Sequence, residues 1–247
     1  MDAVGPTGDA ATRNALLGAL PVEARGMITA GSRVVHLEQR RVLWEPGQET
    51  RHVYFPLSGV ISLVTVMNDG DMVEFATVGR EGMVGLHHFL GAPSMPSQRA
   101  ISQVAGDSLE VDAGAFREAS QGAGPLRDLL ERYALVLVVS TAQEVACNRL
   151  HPLEMRCARW LLTARQQVGA DEFALTQEFL AEMLGVRRAT VTIAAGLLQK
   201  AGLIRYRRGR IEVLDPEGLA AASCECYRVI HDEYDRFLTE VGSRGPG

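Results

Sequence analysis

The sequence predicts an α+β protein in which an N-terminal jelly-roll β-barrel or sandwich is joined by one long helix to a C-terminal winged helix-turn-helix. Three patterns predict it: short alternating runs between Ser32 and Val111, apolar residues at helical spacing from Gly124, and two short amphipathic helices followed by two strand-like runs after Ala174. We divide the chain into residues 1–30 (a tail and short helices), 31–123 (the β-roll), 124–151 (the long helix and a hinge) and 152–247 (the winged helix-turn-helix with a C-terminal helix).

Length and composition are those of an ordinary globular chain. The 247 residues are 47% hydrophobic and 22% charged, which is enough for two modest domains with cores of their own. No apolar run approaches the roughly 20 residues that span a bilayer. The N-terminus also lacks the basic region and apolar core of a secretory signal. We therefore expect a cytoplasmic protein without a membrane partner.

The N-terminal half begins with a small, polar tail, and residues 14–30 read as short helices broken at Pro21. Turn residues then separate a series of strand-like runs, and the turn around Asn68-Asp69-Gly70-Asp71 is a strong hairpin signal. The runs are residues 34–37, 41–44, 53–55, 59–66, 73–78, 99–104 and 108–111. Many short strands at regular spacing predict a sandwich or jelly roll.

A long helix follows, with Pro125 at a suitable first position. One set of its residues follows the 4-3 spacing of a two-stranded coiled-coil seam, and a second apolar face includes Leu129, Val136 and Val139. The seam residues are Leu126, Leu130, Tyr133, Leu137, Ser140 and Glu144. A helix with two apolar faces has two surfaces to cover, its own β-roll and a partner, so we expect a homodimer. Pro152 ends the helix and marks a hinge.

Residues 175–200 read as a helix-turn-helix. Thr176 is a good N-cap, and Gly185 supplies a corner between two amphipathic helices. The second helix, from about Arg187, has a small and polar outer face, as expected for a helix that enters a DNA major groove. That face consists of Arg188, Ala189, Thr192, Ala195 and Gln199. The same pattern also fits an ordinary helical hairpin with a solvated face.

A basic hairpin, or wing, follows the second helix. Residues 203–206 and 210–214 alternate as strands around Arg207-Arg208-Gly209. Between residues 176 and 215 there are seven Lys/Arg and four acids, a net charge of 7 − 4 = +3, whereas the whole chain carries −5. Positive charge concentrated at this end of an acidic protein favours contact with a phosphate backbone.

The segments LTQEFLAEMLGV, ATV, LLQKAGLI and RGRIEVLDPEGL together resemble the C-terminal domain of the cyclic-AMP receptor protein/Fnr (Crp/Fnr) family of bacterial transcription regulators. The resemblance is strong over about 150–220 and weaker over about 30–150. It implies a cyclic-nucleotide-binding-like β-roll, a homodimer, double-stranded DNA as partner, and RNA polymerase as a further partner if the protein is an activator.

The resemblance also implies roles for individual residues. Arg188 matches the family's first base-reading arginine, whereas Ala189 and Ile193 stand where the family often has a glutamate and a second arginine, so we expect a different half-site. The remaining DNA-binding candidates serve phosphate contacts, with a thymine methyl as another possibility for the two threonines of the second helix. They are Thr176, Gln177, Arg187, Thr190, Thr192, Arg207, Arg208 and Arg210.

The nucleotide-binding cassette of the family is incomplete in this chain. Gly85-Leu86-His87 lacks the carboxylate that holds the ribose, and Arg99-Ala100 keeps the phosphate-binding arginine but loses a hydroxyl. Each lost partner costs roughly 1–3 kcal/mol, so we expect cyclic AMP to bind weakly. Gly85, Leu86, Arg99 and Ala100 remain candidates for a pocket that takes an unknown small-molecule effector. Arg99 facing solvent is the competing interpretation, and a constitutive regulator needs no effector.

No metal or cofactor is predicted. Cys224 and Cys226 could grip a metal or respond to oxidants, but two neighbouring ligands do not make a site. The N-terminal cysteines of the family's iron–sulfur sensors are missing, because the first cysteine is Cys147. His87 and His88 suggest haem or a metal, but adjacent residues on a strand point to opposite sides. The histidines elsewhere in the chain, His151 included, show no pattern.

Two rival functions remain open. An enzyme is disfavoured because the chain has no Gly-rich phosphate loop before a helix, no paired carboxylates and no nucleophile–base constellation. The second rival is a ligand-binding module whose winged helix serves protein–protein contacts. Neither activation nor repression follows from the sequence.

Overall fold

The computed structural model describes residues 10–242. It begins with two short helices, α1 (Ala15–Gly18) and α2 (Val22–Thr29), which confirms the expectation for residues 14–30. Asn14 caps α1 by accepting hydrogen bonds from the amides of Leu16 and Leu17. Its side-chain nitrogen donates to two carbonyls of the β-roll, so this buried residue fastens the N-terminal helices to the domain that follows. Most of the predicted tail lies outside the described residues.

Seven antiparallel strands form the β-roll, in agreement with the predicted runs to within two residues. They are β1 (Arg33–Leu37), β2 (Val42–Trp44), β3 (His52–Pro56), β4 (Val60–Val66), β5 (Met72–Val78), β6 (Gln98–Val104) and β7 (Gly106–Asp112). The strands build a three-stranded sheet of order β1-β7-β3 and a four-stranded sheet of order β2-β6-β4-β5. Buried side chains such as Trp44, Leu63 and Ala100 fill the space between the sheets. The predicted sandwich is confirmed.

Three helices lead from the β-roll to the second half of the chain. They are α3 (Ala113–Gln121), α4 (Pro125–Leu150) and α5 (Leu153–Val168). Sequence reasoning missed α3, in which Asp112 caps the amide of Ala115 at 2.9 Å and Phe116 is fully buried. The break between α4 and α5 falls at His151-Pro152, as predicted, because proline has no amide hydrogen to continue the helical ladder.

The structure corrects the predicted dimer seam on α4. Leu126, Leu130 and Tyr133 are at most 4% exposed and pack in the protomer's own core, and Leu137 packs against the same core. Ser140 is buried as well, and Glu144 forms an ion pair with Arg159. Spacing identified an apolar face, but it could not show that the N-terminal helices and the last helix of the chain cover that face. These residues are therefore not available to a partner.

A different face of α4 is exposed. Leu135, Val138 and Val145 are between 61% and 65% exposed, and with the exposed Ala142 they follow a 3-4-3 spacing. This is the spacing of a coiled-coil seam. We call these four residues the exposed stripe of α4.

The winged helix-turn-helix follows α5 and includes one unpredicted strand. Its elements are β8 (Glu172–Ala174), α6 (Gln177–Leu184), α7 (Arg188–Lys200), β9 (Ile204–Arg207) and β10 (Arg210–Val213). The three strands form an antiparallel sheet of order β8-β10-β9. Phe173 of β8 is buried in the same core as Ile211 of β10, which explains why so short a strand is stable.

The C-terminal stretch forms two helices, α8 (Pro216–Ala222) and α9 (Cys226–Gly242), rather than one. Helix α9 does not pack mainly on the winged helix. Its residues Phe237 and Val241 are buried in the core that also holds Tyr133 of α4, with the Tyr133 and Phe237 ring centroids 6.1 Å apart. The predicted grouping of this helix with the DNA-binding domain therefore follows the chain order but not the packing.

The winged helix also packs directly on the β-roll. Val64 and Ile101, on the outer face of the four-stranded sheet, belong to the same core as Phe179 of α6. The guanidinium of Arg40 lies 5.4 Å from the centre of the Phe179 ring. Within residues 10–242, no helix combines the length and apolar character needed to cross a bilayer.

Candidate nucleic-acid interface

Local chemistry positions the two helices of the helix-turn-helix. The Thr176 hydroxyl oxygen accepts a hydrogen bond of 3.1 Å from the amide of Phe179 and so caps α6, as predicted. Gly185 has φ = 63°, a left-handed conformation that glycine adopts without steric cost. The chain turns sharply there, and α7 then begins at Arg188 with Val191 buried against α6.

The outward face of α7 is open to solvent. Arg188, Ala189 and Thr192 are exposed as predicted, whereas Ala195 is fully buried and does not belong to this face. Ile193 takes part instead, with 63% of its surface exposed. An exposed isoleucine beside an arginine at a helix start offers an apolar contact next to a hydrogen-bond donor. Thymine methyl and guanine present the complementary groups in the major groove.

The start of α7 favours negative charge. Arg187 is the N-cap residue and Arg188 the first helical residue; both are exposed, and neither forms an ion pair within the described part of the chain. No side chain caps the first amides of the helix. These amides carry partial positive charge, and together with the two guanidinium groups they make the helix start electropositive. Such a helix start is suited to a phosphate or to the acceptor edge of a base.

The polar candidates at the helix starts are partly engaged with one another. The Thr192 hydroxyl donates to the side-chain oxygen of Gln177 at 2.7 Å. This contact leaves the amide nitrogen of Gln177, at the first position of α6, as a donor for phosphate. Thr190 is exposed, and the hydroxyl of Thr176 can still donate its proton while it caps the helix.

The three predicted wing arginines are not equivalent. Arg207 and Arg208 are exposed and form no ion pair within residues 10–242, and Arg208 sits at the tip with φ = 50°. Arg210 pairs with Glu172 of β8. Arg205, on the neighbouring strand, pairs with Glu212 at 2.6 Å. Two arginines at the tip thus remain available for phosphate.

Three of the four predicted effector-pocket residues, Gly85, Leu86 and Ala100, are buried in the packed interior of the β-roll. Leu86 is 8% exposed and Ala100 is fully buried, and both lie within packed cores. A side chain at Gly85 would come within 2.8 Å of Val53, so the backbone there is closely packed as well. The interior of the β-roll at this point is filled by protein side chains, and these residues have no free surface to offer a ligand.

Arg99 points away from the interior of the β-roll. Successive residues of a strand face opposite sides, and its neighbour Ala100 is directed inward. The Arg99 Nε donates to Glu45 at 2.8 Å on the outer face of the sheet. The interpretation of Arg99 as a surface residue therefore agrees with the structure better than a phosphate-binding role inside the roll.

His87 and His88 lie on a 3-10 turn, not on a strand, and this corrects the expectation that they point in opposite directions. Their Nε2 atoms are 2.8 and 2.5 Å from the hydroxyl oxygen of Thr50. Burial lowers the pKa of both imidazoles, for His87 to about 4, so the pair is neutral at pH 7. The shared contact with Thr50 satisfies the Nε2 atom of each histidine, whereas the Nδ1 atom of His88 is buried without a hydrogen-bond partner in the described part of the chain.

A cavity of about 460 Å³ lies where α4, α5 and α9 meet the β-roll. Polar side chains, among them Glu81, Gln167, Tyr227 and Tyr234, line part of its wall. Burial raises the pKa of Glu81, which accepts hydrogen bonds from the Gly79 amide and from Gln167. None of the four predicted effector-pocket residues lines this cavity.

Three cysteines and a histidine form a cluster that sequence reasoning missed. Cys147, Cys224 and Cys226 are buried together, and a ring nitrogen of His151 joins their sulfurs. The lack of N-terminal cysteines therefore does not leave the chain without a cysteine cluster. Burial raises the pKa of Cys147 and Cys226 above that of an ordinary thiol, which disfavours a free nucleophilic thiolate. The signals in the sequence were the Cys224-Glu-Cys226 pair, which alone does not make a site, and the i, i+4 spacing of Cys147 and His151 at the end of one helix.

A β-roll packed against a winged helix-turn-helix is the architecture of a DNA-binding protein with an additional N-terminal domain. Family models match both halves: a cyclic nucleotide-binding domain over residues 34–122 and a Crp-like helix-turn-helix domain over residues 155–222. The chain belongs to the Crp/Fnr family of transcription regulators. It is a DNA-binding regulator and not an enzyme.

Solved structures show the same fold at low identity. A putative Crp/Fnr regulator from Eubacterium rectale is 18% identical, with a TM-score of 0.66 over 84% of this chain and 96% of that chain. FixK2 from Bradyrhizobium japonicum is 15% identical, with a TM-score of 0.66 over 78% and 98%. The c-di-GMP responsive regulator CLP from Xanthomonas campestris is 16% identical, with a TM-score of 0.60 over 78% and 99%. No curated protein matches the chain.

Proposed function

We propose that the protein acts as a homodimer that recognises an inverted-repeat operator, with one copy of α7 in each of two successive major grooves. The observation that carries this proposal is the open outward face of α7, where Arg188 stands free at the helix start. The two recognition helices would lie about 34 Å apart, one helical turn of DNA.

Within each half-site, Arg188 reads a base, with guanine as the partner that suits a guanidinium best. Ile193 supports an apolar contact beside it, because its exposed side chain can rest on a thymine methyl. Arg187, Thr176, Gln177 and Thr190 contact phosphates and set the register of the helix on the duplex. Thr192 orients Gln177 through its hydrogen bond and does not itself contact a base.

Dimerisation uses the exposed stripe of α4. Leu135, Val138, Ala142 and Val145 present an apolar seam that no other described part of the protomer covers. An isologous pair of such seams places two winged helices on the same side of the dimer, as a palindromic operator requires.

An effector acts by changing how the winged helix sits on the β-roll. The cavity between α4, α5, α9 and the β-roll supports this position for the effector better than the interior of the roll, where protein side chains fill the space. RNA polymerase is a further partner if the protein activates transcription. The c-di-GMP named for the Xanthomonas relative is one compound to include in a search.

The proposal is tested by selecting duplexes from a random pool with the full-length protein. We expect an inverted repeat whose half-site centres are about 10 base pairs apart, and an affinity that falls steeply with salt. Repeating the selection with Arg188→Ala should relax one position in each half-site. Enrichment of no sequence, or no duplex binding at low salt, would favour a module whose winged helix contacts proteins.

Repeating the selection with and without cell metabolites tests for an effector. A metabolite that changes the affinity without changing the selected sequence is expected. If no fraction has any effect, the regulator acts constitutively and its activity follows its abundance.

A further inference from the structure

Three cysteines and one histidine from two distant parts of the chain lie close together next to the hinge at His151-Pro152. Cys147 and His151 lie at the C-terminal end of α4, and Cys224 and Cys226 flank the start of α9. One ligand atom from each residue, three sulfurs and an imidazole nitrogen, lies within 4.8 Å of every other. All three cysteines of the cluster are buried and are free thiols.

We propose that these four residues bind one zinc ion in a tetrahedral Cys3His site that fastens the start of α9 to the end of α4. The Cys147 and Cys224 sulfurs are 3.5 Å apart, and the Cys226 sulfur is 3.5 Å from Nδ1 of His151. Zinc–sulfur bonds of about 2.3 Å give a tetrahedron whose edges are about 3.8 Å long. The side chains thus need only small adjustments to surround an ion.

The neighbours of the four ligands are those that a metal site requires. The Nε2 atom of His151 lies 3.3 Å from a carboxylate oxygen of Glu225, which leaves Nδ1 free to face the metal. A carboxylate that holds the far nitrogen of a ligating histidine fixes the tautomer and the orientation of the ring. Gln143 donates a hydrogen bond of 3.0 Å to the sulfur of Cys226, a contact that stabilises a thiolate.

Charge balance is a second, independent indication. Arg156 and Arg159 are 8% and 4% exposed and lie close enough to interact electrostatically with Cys147 and Cys224. Glu144 pairs with Arg159, whereas Arg156 donates, among residues 10–242, to the neutral oxygens of Asn148 and Leu184 and forms no ion pair there. With neutral thiols, this buried group carries an uncompensated positive charge, which is costly. Zinc with three thiolates and a histidine carries a net charge of −1, which balances the buried Arg156, Arg159 and Glu144. Glu225 does not enter this balance, because its side chain is 67% exposed to solvent.

A buried hydrogen-bond donor of Arg159 is consistent with a negatively charged metal site. Within the described residues, the Nε atom of Arg159 is buried without a hydrogen-bond acceptor. A thiolate sulfur is a better acceptor than a neutral thiol. Formation of the zinc site would therefore supply an acceptor next to a donor that now lacks one.

The ligand set favours zinc over other metals. Thiolates with one imidazole are soft ligands that suit zinc, and four protein ligands leave no open position for catalysis. An iron–sulfur cluster places several irons and sulfides between its cysteines, and four ligand atoms gathered around one point fit a single ion better. The site is thus structural: it joins the end of α4, next to the hinge, to the start of α9, and its loss would free the first turn of α9.

Metal content of the purified full-length protein tests the proposal, and it does not depend on DNA binding. Protein from zinc-supplemented medium should carry about one zinc per chain by mass spectrometry. Cys224→Ser and Cys226→Ser should each lower the content at least about tenfold. Cys157→Ser is the matched control, because Cys157 is equally buried but packs in the winged-helix core outside the cluster. It should keep its zinc.

Two further measurements test the proposal even if a variant that lacks one of the ligands fails to fold. Glu225→Gln keeps all four ligands and should hold zinc roughly 10–100-fold less tightly against a chelator. Replacement of zinc by Co²⁺ in the wild type should give the intense visible absorption of tetrahedral thiolate coordination.

Three results would overturn the proposal. The first is wild-type protein that contains no more zinc than Cys224→Ser. The second is loss of zinc from Cys157→Ser as complete as from the ligand variants. The third is a deficit of two thiols on titration of the denatured, metal-free protein, which would show a disulfide in place of the metal site; the Cys147 and Cys224 sulfurs, 3.5 Å apart, could form it.

Discussion

The indole nitrogen of Trp160 donates a hydrogen bond of 2.8 Å to the carboxyl group of Glu74, across the boundary between α5 and the β-roll. Glu74 is buried, and desolvation raises its pKa to about 8. The group is therefore mostly protonated at pH 7, and a neutral carboxyl joins the two halves of the protomer. Because the contact depends on protonation, the stability of the interface should depend on pH.

The sign of this dependence follows from linkage. The folded protein keeps a proton on Glu74 up to about pH 8, whereas the unfolded chain releases it near pH 4.5, the ordinary pKa of a glutamate. Between these values the folded state binds more protons, so the free energy of unfolding falls as the pH rises. The contribution of Glu74 to the free energy of unfolding is complete below about pH 4.5 and is lost as the pH rises through 8.

Replacing Glu74 by glutamine should remove this dependence, because the amide oxygen still accepts from Trp160 but does not ionise. We expect the Tm of Glu74→Gln relative to wild type to rise between pH 5 and pH 8, by roughly 2–4 °C for each kcal/mol recovered. Scanning calorimetry across this range measures the effect, with Glu118→Gln on the exposed face of α3 as control. Parallel Tm curves for Glu74→Gln and wild type would contradict the prediction.

Arg188→Ala should reduce operator affinity by about 1–3 kcal/mol and relax one base position, because a bidentate base contact is lost. Arg187→Ala is the matched comparison, since both side chains are exposed at the start of α7. It should weaken binding to all duplexes by a similar factor. Titration of the operator, its single-base variants and a random duplex separates the two effects. Equal loss on every sequence for Arg188→Ala would show that Arg188 contacts phosphate only.

A double substitution in the exposed stripe, Leu135→Glu with Val138→Glu, should convert the dimer to a monomer. Buried like charges at a seam are strongly unfavourable, and the stripe contributes nothing to the protomer core. Size-exclusion chromatography with light scattering gives the mass, and circular dichroism should show unchanged helix content. Val22→Glu, at a position 69% exposed on α2, is the control for added charge. A mass unchanged from wild type would place the interface elsewhere.

Replacing both tip arginines of the wing, Arg207 and Arg208, by alanine should weaken binding without changing the preferred sequence. Each lost phosphate contact lowers the slope of log affinity against log salt by about 0.9, so we expect a change of about 1.8. Arg210→Ala should have a smaller effect, because Arg210 is paired with Glu172. The prediction fails if the slope of the double variant equals that of wild type.

Much of the fold was predictable because its signals are local. The hairpin around Asn68-Asp69-Gly70-Asp71, the Thr176 cap and the Gly185 corner each depend on residues close in sequence, and all three appear where expected. Helix α3 was missed although its Asp112 cap is a local signal, whereas strand β8 had no local signal to find. Strand β8 has three residues and owes its conformation to pairing with β10, which no local pattern reveals.

The candidate sites were predictable to different extents. The exposure of the arginines at the start of α7 and at the tip of the wing was predictable, because a helix start and a hairpin tip are exposed by their geometry, and their contact with DNA stays a prediction. The effector pocket was placed by analogy with a cassette, and Leu86 and Ala100 proved to be core residues. The seam of α4 was assigned to the wrong face, since Tyr133 is covered by Phe237, more than one hundred residues later in the chain.

By itself, the sequence determined most of the elements, their order and the exposed start of the helix that we propose to read DNA, because hydrophobic period, caps and turn residues act over a few neighbours. Only the tertiary structure decided which apolar face of α4 remains free, how Arg99 turns outward, and that Cys147 and His151 meet Cys224 and Cys226. Those outcomes depend on packing between segments far apart in the chain. Periodicity identifies a face to be covered, but the segment that covers it is selected by the folded chain as a whole.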